Sequence, residues 1–127
     1  MLLVDTDVMV DILRGHSPAL AWLDSLGSDS LGIPGLVAME MMQGCRTQAE
    51  QRRVVRVLRP YSLYWPSQQD CARAYDDFVS YHLTRNLGIF DALVAETAVG
   101  MHVDLATFNQ KHYAAVKALI TTQPYER

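Results

Sequence analysis

The chain has 127 residues, half of them hydrophobic and 20% charged, which separates it from disordered and fibrous sequences and allows one domain with its own core. Eleven lysines and arginines against fourteen aspartates and glutamates leave a net charge of −3. That balance excludes a domain that holds nucleic acid mainly by bulk positive charge, but not one that gathers its acids around a cation.

In chain order, Leu2-Leu3-Val4-Asp5 is a short apolar run ending in an acid, the pattern of a buried parallel strand. A helix follows through Leu13 and stops at Gly15; Ser17-Pro18 opens another, with Ser17 as its cap, ended by Gly27. Leu31-Gly32-Ile33 is a second strand, and Leu36 to Gln43 a helix closed by Gly44. Residues 48–59 make an arginine-rich amphipathic helix ended by Pro60, and Tyr61 to Trp65 a third strand. Ser67 and Asp70 spell a capping box, after which Cys71, Ala74, Tyr75, Phe78, His82 and Leu83 keep helical spacing. Asp91 to Val99 is apolar around most of its circumference, as in a helix buried between layers, and Asp91 reads as its N-cap. Val103 to Thr107 and Ala118 to Thr121 complete about five short strands. Strands alternating with helices predict an α/β fold, a central parallel sheet flanked by helices on both faces. Ligands in such sheets sit beyond the carboxyl ends of the strands.

Cys45 and Cys71 form no CxxC pair and read as reduced thiols of an intracellular protein rather than a zinc site. Met1 to Val4 is too short for a signal peptide, and no stretch approaches the roughly 20 apolar residues of a membrane span, so a soluble cytoplasmic domain is expected.

Three acids stand out by position. Asp5 is joined directly to an apolar strand, and a buried carboxylate without a partner is costly. Glu40 is the only charge in Leu36-Val37-Ala38-Met39-Glu40-Met41-Met42, and Asp91 opens an apolar helix. Each has an ordinary reading alone: Glu40 as a solvent-facing residue, Asp91 as a cap. Asp7, in a first helical turn, is either a capping acid or part of the same group. Asp11 reads as a surface or helix-pairing acid.

The ordered set resembles a PIN domain, and within that group the VapC-type ribonuclease toxins of bacterial toxin–antitoxin pairs. The residues that carry the likeness are Leu3-Val4-Asp5-Thr6-Asp7-Val8 with Leu13-Arg14-Gly15, Glu40 followed by Gly44, and Asp91-Ala92-Leu93-Val94-Ala95 with Ala98. Leu105-Ala106-Thr107-Phe108-Asn109-Gln110-Lys111-His112-Tyr113 and Pro124-Tyr125 complete them, so the likeness spans residues 1–127 as a single PIN-like domain. The resemblance implies that Asp5, Glu40 and Asp91 bind metal, with Asn109 at the family's fourth acidic position. Asn109 keeps a carbonyl oxygen but loses a charge, which leaves open one or two ions. Thr6, Asp7, Glu96 and Thr107 are implied to orient the ligands or a water. Val37 stands where many relatives carry Ser or Thr.

Those residue types suit Mg²⁺ or Mn²⁺, hard cations that take carboxylate and carbonyl oxygens and act as Lewis acids on a phosphodiester. The expected activity is metal-dependent endoribonuclease cleavage of RNA, tRNA or rRNA, with a small antitoxin as protein partner and a homodimer as the assembly. Arg46, Arg52, Arg53, Arg56 and Arg59 against Glu50 alone give residues 46–59 a local balance of +4. Arg52, Arg53 and Arg56, with Lys111 and His112, are candidates to contact RNA or the antitoxin, while Val54, Val55 and Leu58 mark the helix's apolar side. His16, His82 and His102 read as structural. Met39, Met41 and Met42 are expected to fill a core or a homodimer interface. The alternative is a PIN fold with weakened catalysis that binds RNA or an antitoxin, the reading that Asn109 and Val37 support. Asp5-Thr6-Asp7-Val8 also matches the nucleophile motif of haloacid-dehalogenase-type phosphatases. The only lysines, Lys111 and Lys117, and the helical Asp76-Asp77 fit that class and receiver domains poorly.

Overall fold

A computed structural model describes residues 1–27 and 30–127. Strand β1 (Leu2–Val4) leads through helices α1 (Thr6–Leu13) and α2 (Ser17–Ser25) to β2 (Leu31–Pro34). Helices α3 (Gly35–Gln43) and α4 (Gln48–Leu58) precede β3 (Leu63–Tyr64), and α5 (Gln68–Arg85) and α6 (Ile89–Met101) precede β4 (Leu105–Ala106). The short α7 (Gln110–Tyr113) and β5 (Thr121–Thr122) close the chain. All neighbouring strands are parallel, in the order β3-β2-β1-β4-β5, with Leu3 opposite Gly32 on one side and Leu105 on the other. The fold is thus the expected α/β fold with a five-stranded parallel sheet.

The central strand is the most deeply buried: Leu3 and Val4 are fully covered, as a strand with neighbours on both edges must be. Gly32 is required for closeness, since a Cβ there would stand 2.6 Å from the Tyr64 ring. Helix α3 packs on α1 and α6, and α5 lies along α6. No helix among the described residues is long and apolar enough to cross a membrane.

Several local expectations shift. His16 occupies the N-cap of α2 without a side-chain bond, and Ser17 is already helical. Asp91 is not an N-cap: Gly88 is, and Asp91 lies one turn in, its carboxylate folded back on the Gly88 N–H at 3.3 Å. The last strand falls at Thr121–Thr122, because the preceding segment turns to bury Ala115 and Val116. The capping box of α5 is present, Ser67 Oγ accepting from Asp70 N at 3.0 Å and Ser67 N donating to Asp70 Oδ2 at 2.9 Å.

Asp11 is buried, not a surface acid. It accepts bonds from Tyr125 Oη at 2.8 Å and from Arg127 Nε and Nη2 at 3.1 and 3.0 Å, which pin the tail onto α1. The Tyr125 ring rests edge-on against Phe108, and the Arg127 guanidinium lies over the Phe108 ring, 4.8 Å from its centroid. Burial pushes the Asp11 carboxyl up, but the bonds from Arg127 and Tyr125 outweigh it and hold it below the usual value of 3.8. Its stabilising effect is complete above about pH 4 and is lost as pH falls through the lowered value. Arg127→Ala is therefore expected to cost about 1 kcal/mol at pH 7, half-exposed as Arg127 is. Urea melts should show this difference shrinking toward pH 3.

Between α5 and α6, Arg73 bridges Asp70 and Glu96, with Glu96 Oε1 2.8 Å from Arg73 Nε. One guanidinium serves three neighbouring carboxylates, because Asp77 also faces Glu96 with a buried oxygen that finds no partner among the described residues. Burial, and then Glu96 beside it, push Asp77 up to about 7. The folded chain so holds a proton that the unfolded chain releases near pH 4, and stability declines as pH rises from there through 7. Asp77→Asn is expected to flatten that decline, read as a smaller loss of urea midpoint between pH 5 and pH 8.

Candidate active site

The sheet reverses its winding at β1. The chain moves outward through β2 to β3 and then returns to β4 on the opposite side of β1. The crevice beyond the carboxyl ends of β1 and β4 is where a parallel α/β sheet builds its site. Asp5 and Thr107 are the residues immediately past those two ends, and Asp5 N donates to Ala106 O at 3.0 Å across them.

Asp5 is 8% exposed. Its Oδ1 accepts from Thr6 N and its Oδ2 from the Thr107 hydroxyl, both at 2.8 Å. Burial and the nearby Asp7 charge push Asp5 up to about 6, against the pull of these bonds. Asp7 accepts from Phe108 N at 3.0 Å and from Val8 N at 2.8 Å, and burial still raises it. The N-cap Asp5 and the first-turn Asp7 of α1 thus both bond to the segment that follows β4. Thr6 donates its hydroxyl to Glu40, drawing α3 to the end of β1. Thr107 accepts from Asn109 N at 3.0 Å, so one hydroxyl ties Asp5 to the backbone that carries Asn109.

Asp91 is engaged by two side chains of α7. His112 Nε2 lies 2.8 Å from its Oδ2 and the Tyr113 hydroxyl 3.4 Å from its Oδ1. His112, expected to meet RNA or an antitoxin, is turned inward onto this carboxylate. Tyr113 is 1% exposed, and burial, then Asp5 and Asp91, hold its phenol far above the ordinary value, so it stays a donor to the acids. Sequence reasoning gave Tyr113 no role. Its signal was its place four residues after Asn109, which puts it on the inner side of α7 beneath the acids.

The structure therefore brings Asp5, Thr6, Asp7, Glu40, Thr107 and, through its backbone, Asn109 into one hydrogen-bonded group, with Asp91 next to it across Tyr113, whose phenol neighbours both Asp5 and Asp91. Glu96 is not part of it: the helix turn that aims Asp91 at the crevice aims Glu96 at Arg73 on α5. Lys111 is exposed, as are Arg52, Arg56 and Arg59, which border a groove on α4. Val54 is 1% and Val55 41% exposed, so only one of that pair joins the core. Arg53 points away from the other arginines and donates to the Leu13 carbonyl.

No three Asp, Glu, His or Cys side chains among the described residues converge as the ligands of one ion. Each carboxylate is engaged by a protein donor instead: Asp5 by Thr107, Glu40 by Thr6, Asp91 by His112 and Tyr113. What fits a hard divalent cation is the donor chemistry. The group is carboxylate-rich, Asp5 and Asp7 are raised by burial, and the His112 imidazole is its only side-chain nitrogen partner among the described residues.

Comparison with known proteins decides the family. The PIN domain model matches residues 2–118. The chain belongs to the PIN domain family. Within it, this PIN domain is 36% identical to Ribonuclease VapC10 of Mycobacterium tuberculosis over 121 residues, 94% of this chain and 90% of the relative, which supports its resemblance to VapC proteins. A toxin–antitoxin complex from Klebsiella pneumoniae superposes on this PIN domain with a TM-score of 0.80 at 24% identity, covering 100% of both chains. A DNA-bound VapBC from Salmonella typhimurium superposes with a TM-score of 0.80 at 14% identity, covering 98% of this chain and 99% of the other. At those identities the structures speak for the fold.

Proposed function

We propose that this PIN domain is a Mg²⁺- or Mn²⁺-dependent endoribonuclease, the toxin of a type II toxin–antitoxin pair that acts on tRNA or rRNA in the cytoplasm. The observation that carries the reading is Asp5, a buried carboxylate at the switch point with Asp7 beside it, Glu40 held by the adjoining Thr6, and no lysine or arginine bonded to it among the described residues. The full-length likeness to a protein named as a ribonuclease supports it.

Asp5, Glu40 and Asp91 are the residues that would hold the ion, with the Asn109 carbonyl as a neutral fourth donor. A bound ion supplies Lewis acidity toward a phosphate oxygen and lowers the pKa of its water. Thr107 and Thr6 hold Asp5 and Glu40 in place, and Tyr113 and His112 hold Asp91. The neutral Asn109 leaves three charged groups among the four proposed ligands and favours a single ion.

The antitoxin reading is supported by a groove of about 830 Å³ between α3, α4 and β3. Met39, Val55 and Trp65 stand exposed in it, an apolar patch of the kind that marks a protein partner. Tyr75, Val79 and Leu83, exposed along α5, are the face offered to a second copy in a homodimer, read as mass by light scattering.

The deciding experiment incubates the protein with total tRNA and rRNA, with and without Mn²⁺, beside Asp91→Ala. Cleavage that needs Mn²⁺ and disappears in the variant is the expected result. Equal RNA binding with and without Mn²⁺, and no cleavage, would establish the binding-module reading instead.

A further inference from the structure

A cleft of about 470 Å³ opens from the acid group toward α4, inside the roughly 300–1,000 Å³ range of small-ligand sites. Thr6 and Glu40 form the wall nearest the acids, and Val10, Leu13, Met41 and Val54 give an apolar lining. Two arginines, Arg14 and Arg53, border it. Neither is in an ion pair with a carboxylate among the described residues, whereas Arg73 and Arg127 both are. Arg53 is fixed by its bond to the Leu13 carbonyl, which occupies one of the five N–H donors of its guanidinium. A guanidinium fixed in this way loses less freedom when it takes a second partner. The other acid of the cleft, Glu50, is engaged by Arg46 N at 2.6 Å.

Resting on the nuclease reading of the acids, we propose that this cleft seats the nucleotide adjoining the scissile phosphate of a single-stranded RNA. The base lies on the apolar lining and the neighbouring phosphate on Arg14 and Arg53. Each part of the cleft has its match in that ligand. Bases removed from a stack are held between apolar side chains, guanidiniums take phosphate oxygens in pairs, and the cleft runs directly from Glu40, where the chain to be cut must lie. A protein segment suits the larger groove beside Trp65 better, since Arg59 is its only charged residue and it does not reach Thr6 or Glu40. The cleft therefore selects which residue flanks the cut.

Cys45 lines the cleft, half-buried, while Cys71 is exposed on α5, so the unaltered protein carries a probe and its control. N-ethylmaleimide labelling of each thiol, followed by mass spectrometry, is compared with and without a saturating single-stranded oligoribonucleotide in metal-free buffer. Cys45 alkylation is expected to slow at least fivefold and Cys71 alkylation to stay unchanged. Arg14→Ala, an exposed substitution, tests the phosphate contact. Fluorescence anisotropy should show binding of the same RNA weakened roughly three- to tenfold, with a salt dependence shallower by about one ion. Because neither readout needs cleavage, failure of the nuclease reading leaves both informative. Unprotected Cys45 together with unchanged RNA affinity in Arg14→Ala overturns the proposal. Protection of Cys45 by a protein partner but not by RNA also overturns it and makes the cleft a protein site.

Discussion

Asp5→Asn is expected to abolish Mn²⁺-dependent RNA cleavage while making the metal-free protein harder to unfold. The two effects have one cause. The Asp5 carboxyl is pushed up to about 6 by burial and by Asp7, above its ordinary value of 3.8. Holding it ionised at pH 7 therefore costs the fold roughly 3 kcal/mol, a penalty that fades as pH falls from 6 toward 4. Asparagine removes the charge and keeps the oxygen that accepts from Thr6 N. Its NH2 turns toward the Thr107 oxygen, whose hydroxyl can donate to Asp7 Oδ2 3.4 Å away instead. The metal-free variant should therefore melt higher at pH 7.5 and depend less on pH across that window. The loss of cleavage should exceed the roughly 10–100-fold expected for removing a partner of a ligand, because the ligand itself is gone. Added Mn²⁺ should raise the melting temperature of the parent and not of the variant, by mass action on the folded state. A variant that melts lower without metal, or cleaves like its parent, would contradict the role given to Asp5.

The second large effect is expected at Thr107. Its hydroxyl is fully buried, donates to Asp5 Oδ2 and accepts from Asn109 N. Thr107→Val keeps the shape and removes both bonds, leaving a buried carboxylate oxygen and a backbone N–H short of a partner. Such losses cost about 1–3 kcal/mol for each group left unsatisfied. Urea unfolding should show a loss of about 2 kcal/mol, since Asn109 is exposed enough for water to replace its bond. Cleavage should fall roughly 10–100-fold, and Thr107→Ser, which restores the hydroxyl, should recover most of it. Equal activity in Thr107→Val would mean that Asp5 needs no orientation from β4.

The sheet was legible because its signals are local. Leu2-Leu3-Val4 and Leu31-Gly32-Ile33 are apolar runs of strand length, and Ser67 with Asp70 needs only its own backbone to cap a helix. The acids were legible for a related reason: Asp5 and Glu40 interrupt apolar segments, and burial makes that costly. What stayed hidden depends on which face of a helix meets which neighbour. Glu96 lies on the same helix as Asp91 but about a turn and a half further along, and only the position of α5 decides that it meets Arg73. His112 and Tyr113 look like a polar pair in a loop until α7 turns them under Asp91. Asp11 carries no sign of a tail that returns from residue 127 to cover it.

The bond between Thr107 and Asp5 joins residues 102 apart in sequence. On a ribosome, Asp5 is therefore made 102 residues before its partner at the end of β4. Until β4 has emerged and settled beside β1, the crevice has one wall, and Asp5 lacks both the hydroxyl and the backbone carbonyl that orient it. Closing so long a loop is also the slow part of folding a parallel sheet. The acids of this PIN domain so gain their arrangement late: a chain made through Asp91 but not yet to Thr107 has every carboxylate of the site and lacks the bonds that set Asp5 in place.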